Sequence, residues 1–395
     1  DLHSFPTRRS SDLEIRSFIT HQNHPPYRQR TMKILLVGEY SNVHATLAEG
    51  LRLSGHQVTV VSNGDFWKDY PRDIDISRPA GRLGGIRLLA KIYTILPRLR
   101  GYDVVQLINP IFFELKAERL FTIYQYLRRH NKKVFLGGFG MDWYWVHTCV
   151  HDKPLRYSDF NFGDKLRTDP EALRYREDWI GTAKERLNRL IAEDCDGIIT
   201  GLYEYWACYH PVFPEKTTFI PYPIKMPATY STSRVQSSKV VIFIGINRER
   251  SVYKGTDIML RAAEDIRQKY GYRMKLEVAE SVPFDEYQQM MEGSDAILDQ
   301  LYAYTPSMNP LLAMSKGVIC IGGGEPENYE IINETELRPI INVEPTYESV
   351  YHELEQLVLH PERIPELKRQ SVEYIRRHHD YQKVARQYLD FWEKK

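Results

Sequence analysis

The chain has 395 residues, with 53 Lys and Arg against 52 Asp and Glu, 42% apolar residues and 27% charged ones. At about 150 residues per domain this length predicts two domains, and the composition is that of a folded globular protein rather than a disordered or fibrous one. The near-zero net charge excludes the broad positive field on which nucleic-acid binding rests, so no nucleic-acid partner is expected.

Residues 1–31 show no apolar period, and the string from His3 to Leu13 resembles a translated sequencing adapter; this leader is expected to be an artefact or an unstructured start. The fold is expected to begin at Met32. Ile34 to Val37 reads as a strand, Val43, Leu47 and Leu51 as one face of a helix that stops at Gly55, and Val58 to Val61 as a second strand. Between Arg82 and Arg100, the apolar Ile86, Leu89, Tyr93 and Leu96 are interleaved with Arg87, Lys91, Arg98 and Arg100. That pattern fits a basic helix lying on an anionic membrane, or a helix that packs this stripe on its own sheet. The strand at 104–108 follows at once, as a strand–helix–strand unit requires, and favours packing. Leu120, Ile123, Tyr124 and Leu127 mark the next helix and 134–138 the next strand.

From Met141 to about Asp178 the chain is rich in Trp, Tyr, His and Asp without a period, and is expected to form loops and a helix beside a cleft. A strand at 197–200 leads into a Pro-rich and then polar stretch, with the interdomain linker placed at 223–238. A second alternating series fills 239–372. It has strands at 240–245, 275–279, 296–300 and 318–321, a helix with Met259, Ala262, Ala263 and Ile266 on one face, a short helix from Tyr287 to Met291, and a helix from Pro310 capped by Asn309. In the last segment, 373–395, Tyr381, Val384, Tyr388 and Phe391 recur at helical spacing behind an Asp380 cap. The reading is an α/β protein of two Rossmann-like domains, 32–222 and 239–372, that face each other across a cleft, closed by a helix returning to the first domain.

Cys149, Cys195, Cys208 and Cys320 are scattered without a CxxC pair, which fits a reducing, cytoplasmic compartment. No stretch approaches the roughly 20 apolar residues of a membrane span, so membrane contact would be peripheral.

Open α/β sheets bind ligands beyond the carboxyl ends of their strands. Three strand ends carry candidate residues. The first has Gly245 followed by Arg248, Arg250 and Lys254, whose cations could neutralise a diphosphate; a solvated basic loop is the bland alternative. The second has Ser307 and Asn309 at a helix start, then the turn Gly322, Gly323, Gly324 with Glu325 and Glu327, where a tight turn without ligand is the alternative. The third has Asp142 and His147 after 134–138; a packed aromatic loop is the alternative, on a par for Asp142 and favoured for His147. The turn after the first strand, with Glu39, Tyr40, Ser41, Asn42 and His44, lacks the Gly-rich dinucleotide fingerprint, so no nicotinamide cofactor is expected. Asp73 with Asp75 and Asp194 with Asp196 form acidic triplets, but no metal is expected at either.

The segment from Gly245 to Ile266 resembles the first strand–helix unit of the donor domain in the retaining family 4 glycosyltransferases, with Arg248 and Lys254 in the places of the diphosphate-binding Arg and Lys. The segment from Leu311 to Ile331 is similar to that family's helix, strand and GGxPE turn, with Gly323, Gly324, Pro326 and Glu327 in register. The resemblance covers most of 32–395 and implies a GT-B glycosyltransferase. It would transfer a sugar with retention from a nucleotide-sugar donor, bound by the second domain, to a carbohydrate or glycolipid acceptor at the first, without cofactor or metal. One departure concerns the family's two glutamates around the helix near 310, where this chain has Tyr304 and Leu312. Donor recognition would then fall to Tyr304, Ser307, Asn309 and Glu327. A nucleotide-sugar epimerase, or a non-catalytic relative that binds a nucleotide sugar, are the other readings of the same scaffold.

Overall fold

The computed structural model describes residues 30–227, 239–280 and 282–395. The leader up to residue 29 and the linker from 228 to 238 fall outside the described residues. The strands are β1 (Lys33–Val37), β2 (Gln57–Ser62), β3 (Ile74–Asp75), β4 (Val104–Leu107), β5 (Lys133–Gly138), β6 (Asn161–Phe162), β7 (Lys165–Leu166), β8 (Gly197–Thr200), β9 (Thr217–Phe219), β10 (Val240–Ile246), β11 (Met274–Glu280), β12 (Ala296–Leu298), β13 (Ile319–Gly322) and β14 (Ile341–Asn342). One sheet runs in the order β3-β2-β1-β4-β5-β8-β9 and a second in the order β11-β10-β12-β13-β14. Every pairing in both is parallel; among the described strands the β6–β7 hairpin is the one antiparallel pair. The protein is therefore an α/β structure of two Rossmann-like domains. Strand order reverses between β1 and β4 and again between β10 and β12, and these are the points where such sheets open a crevice.

Continuous apolar runs make these strands because both faces are covered. In β1, Leu35 and Val37 enter one core while Ile34 and Leu36 enter the core on the other side. In β10, Ile242 and Ile244 do the same against Phe243. All four cysteines are free and buried in these cores. Burial pushes the Cys195 thiol up to about 12 and raises those of Cys208 and Cys320 far above their usual value.

Three local expectations need correction. The helix expected between Arg82 and Arg100 forms as Gly84–Ile95, but it packs through Leu88, Ile92 and Ile95, while Ile86 and Tyr93 face outward. The segment is apolar on two opposite sides, so spacing alone selected the wrong one. The helix expected from Pro310 spans Met308–Ser315 with Ser307, not Asn309, as N-cap. Asn309 lies inside the first turn and donates its amide to the Tyr287 hydroxyl at 2.8 Å. In the stretch from Met141, two helices and the β6–β7 hairpin appear, Trp143–His151 and Pro170–Trp179. The first has no readable period because it is buried nearly all round, from Trp143 to Val150.

After β9 the chain runs against the start of the last helix, Tyr381–Lys394: the Ile224 N–H donates to the His379 carbonyl and the Tyr381 N–H to the Ile224 carbonyl. That helix lies on Val43–Leu53 of the first domain, so closely that a Cβ at Gly50 would sit 2.6 Å from the Tyr381 carbonyl oxygen. Its Trp392 is fully buried against Phe135 of β5. Among the described residues no helix is long and apolar enough to cross a membrane.

Candidate functional site

A cavity of about 1290 Å³ opens between the carboxyl ends of the two sheets. Single small-molecule sites run to roughly 1,000 Å³, so this space has room for two substrates at once. The second domain lines it with Gly245 near the end of β10, Arg248, Arg250 and Lys254 after it, Asp299 and Gln300 after β12, and Ser307 and Asn309 at the start of Met308–Ser315. The first domain contributes Tyr40, Ser41, Asn42, Asp65, Lys68 and Met141.

Lys254 is the most enclosed of the cations. Burial, and then the charge of Arg250, lower its affinity for the proton, while Asp299 works in the opposite sense. Asp299 is itself pushed up to about 6 by burial, against the pull of Lys254. One Asp299 carboxylate oxygen, Oδ2, is buried with no hydrogen-bond donor among the described residues. A buried acceptor without a donor is costly to a fold and suits a ligand hydroxyl or amide. Arg250 is held at 2.8 Å by Glu171 of the first domain. Arg248 is 80% exposed at its side chain and is paired with Glu280. Gly245 lets the Tyr287 ring come in, since a Cβ there would meet that ring at 2.7 Å.

On the facing rim, Ser41, Asn42 and Asp65 all take the left-handed conformation, at φ 51°, 72° and 58°. Such backbone is disfavoured for residues other than glycine and clusters at binding sites. Asp65 joins the two turns by accepting the Ser41 N–H at 2.9 Å and pairing with Lys68 at 2.6 Å.

Gly245, Arg248, Arg250, Lys254, Ser307 and Asn309 are thus brought together on the cavity wall; the other candidates are not. Asp142 is fully buried, caps the helix Trp143–His151 by accepting the Trp145 N–H at 2.9 Å, and accepts the Tyr209 hydroxyl at 2.8 Å. Burial pushes its carboxyl up to about 7. Gly323 and Gly324 serve chain packing instead: a Cβ on the first would lie 2.1 Å from the Ala303 carbonyl oxygen and on the second 2.7 Å from Ile340. Glu327 is engaged by Arg156 of the first domain at 2.8 Å, alongside Glu325 at 2.6 Å. Tyr304 is buried in the same contact, its hydroxyl accepting the Arg156 N–H at 2.7 Å and its own N–H donating to Glu204 at 2.7 Å. The GGxPE turn and the residue in the place of the family glutamate thus join the domains rather than line the cavity. His147 stacks on Trp143 and meets the His151 ring at a tilt, away from the cavity.

All four carboxylates of the acidic triplets are paired: Asp73 with Arg52, Asp75 with Arg72 and Lys91, Asp194 and Asp196 with Arg128. Sequence reasoning missed Asp299, because the strand there was read two residues too far; with β12 ending at Leu298, Asp299 is the first residue beyond the strand, where a ligand group is expected. Asp65 carried no comparable signal.

Two parallel Rossmann-like sheets with a cavity between their facing carboxyl edges define the GT-B fold, and this chain has it. No known family and no curated protein matches the chain by sequence. Among solved structures it is similar to sucrose-phosphate synthase from Thermosynechococcus elongatus, with a TM-score of 0.58 and 12% identity over 92% of this chain and 99% of that one. HepE from Anabaena in complex with UDP-glucose gives 0.57 and 12% over 92% and 100%. The catalytic domain of starch synthase IV from Arabidopsis thaliana, bound to ADP and acarbose, gives 0.55 and 9% over 92% and 99%.

Proposed function

We propose that the protein is a glycosyltransferase that moves a sugar from a nucleoside diphosphate donor to an acceptor hydroxyl, with retention. The observation that carries this reading is the convergence of Lys254, Arg250, Arg248 and the start of Met308–Ser315 on one wall of a cavity wide enough for donor and acceptor together. The similar structures bound to UDP-glucose, or to ADP with acarbose, agree with it.

In the reaction the bond from the sugar anomeric carbon to the β-phosphate oxygen breaks and its electron pair stays on the phosphate, while the acceptor hydroxyl oxygen forms the new bond and its proton passes to the departing phosphate oxygen. Charge grows on the leaving diphosphate, and fixed cations and helix N–H groups aimed there stabilise the transition state more than the bound donor. Asp299 offers its unpaired oxygen to a hydroxyl of the sugar or ribose, taking the place of the absent family glutamates. Asp65 and the Ser41 turn hold the acceptor from the opposite rim.

The test is incubation with UDP- and ADP-sugars, with and without carbohydrate acceptors. Diphosphate release that depends on the acceptor is expected; a stereochemically inverted sugar formed from the donor alone would establish an epimerase, and tight donor binding without either product a non-catalytic binder. A chelator is expected to leave transfer unchanged, because cations of the chain already face the diphosphate; loss that magnesium or manganese restores would overturn this.

The pH dependence of donor affinity follows from Lys254. Its charge is lost on the alkaline side, and burial brings that loss below the ordinary lysine range. Asp299 opposes the shift, so Asp299→Asn is expected to move the alkaline limb to still lower pH. An alkaline limb unmoved by Asp299→Asn would separate the two groups.

A further inference from the structure

The helix Gly84–Ile95 carries two apolar faces, and only one of them is used by the fold. Leu88, Ile92 and Ile95 pack inward. On the far side Ile86 is 67% and Tyr93 46% exposed, Ala90 is exposed between them, and Leu83 at the helix start is 56% exposed. Leu83, Ile86, Ala90 and Tyr93 follow a three-or-four-residue spacing, so they form one stripe rather than scattered surface residues.

Charge is distributed just as unevenly. From Ile76 to Tyr102 there are six Lys and Arg and no Asp or Glu, in a chain whose total is 53 against 52. Lys91 pairs with Asp75 and Arg78 with Glu114, whereas Arg82, Arg87, Arg98 and Arg100 are exposed without an ion pair among the described residues. The stripe is therefore rimmed by uncompensated guanidinium groups.

The segment that leads into this helix neighbours the rim of the functional cleft. The helix begins beyond the carboxyl ends of the parallel strands, the side on which the cavity opens. Phe66, 60% exposed, shares a small cavity with Arg78, Pro79, Ala80 and Gly81, which lead into the helix, and Lys68 two residues on lines the main cavity.

We infer that this face docks the first domain on an anionic lipid bilayer, with Leu83, Ile86 and Tyr93 at the headgroup boundary and the arginines on lipid phosphates. An apolar stripe edged by cations is what interfacial helices present, and Tyr suits the headgroup level. A second copy of the chain fits less well, since a two-fold contact would set these like charges against each other. A nucleic acid would leave the apolar centre unused.

The test is co-sedimentation of the full chain with phosphatidylcholine vesicles, with and without phosphatidylglycerol, at low and raised salt. Binding to the anionic vesicles alone, weakened by salt, is expected. Ile86→Glu is expected to abolish it, and Arg87→Ala to weaken it roughly five-fold. Both side chains lie outside the cores, so melting should stay at the wild-type value and report intact folding. Failure to bind anionic vesicles, or binding untouched by Ile86→Glu, would overturn the proposal. Self-association that Ile86→Glu removes, with no vesicle binding, would assign the face to a second copy instead.

Discussion

Lys254→Ala is expected to lower turnover about a hundredfold, the usual scale for losing one fixed group that stabilises developing charge. Its enclosure is the reason the effect should be large, because a cation facing a diphosphate away from bulk water acts through a lower effective dielectric. The same enclosure fixes the sign of the stability change. The folded state disfavours the Lys254 charge, so at neutral pH the side chain costs stability and its removal should leave melting unchanged or raise it. Arg250→Ala should come next in effect and should also lower melting, since Glu171, 8% exposed at its side chain, loses that partner. Arg248→Ala should have the smallest effect, because its side chain is mostly solvated and already paired with Glu280. Steady-state kinetics and thermal melting of the three variants check this order. Wild-type turnover in Lys254→Ala would remove the phosphate role.

Trp392→Ala is expected to destabilise the fold by about 3–5 kcal/mol, the range for deleting a large buried aromatic side chain. Trp392 is fully buried, packs its ring with Tyr388 and Phe135 at 5.4 and 6.1 Å, and donates its indole N–H to Gln106 of β4 at 3.4 Å. Because Phe135 and Gln106 belong to the first sheet, the loss would fall on the docking of the C-terminal helix there. Urea unfolding against Lys394→Ala, exposed at the end of the same helix, is the measurement. A difference under about 1 kcal/mol would mean that the helix is held elsewhere.

The sheets were legible because parallel strands covered on both faces leave uninterrupted apolar runs such as Ile34 to Val37 and Val240 to Ile244. Gly245 was legible because it follows such a run directly, and Arg248 and Lys254 because they lie in the short segment between it and the next long helix. Side choice on a helix was not: Gly84–Ile95 offers two apolar stripes, and only the sheet decides between them. Nor were contacts between distant segments. Arg156 meets Glu325 and Glu327, and Glu204 meets Tyr304 and Thr305, across separations that carry no local period. Those partners turn the GGxPE segment from an expected ligand site into a domain contact. Gly323, expected to leave room for a ligand, leaves it for the Ala303 carbonyl.

The four buried cysteines make the native molecule almost blind to thiol reagents. A maleimide attacks the thiolate, and for Cys195, Cys208 and Cys320 burial both shuts out the reagent and suppresses that form. A cysteine placed at exposed Tyr272 in the second domain and another at exposed Leu53 in the first would then be the sites that take a dye pair. Fluorescence energy transfer between them would report the distance between the two domains in solution, with and without a nucleotide sugar, against a silent background and without first stripping the wild-type thiols from the cores.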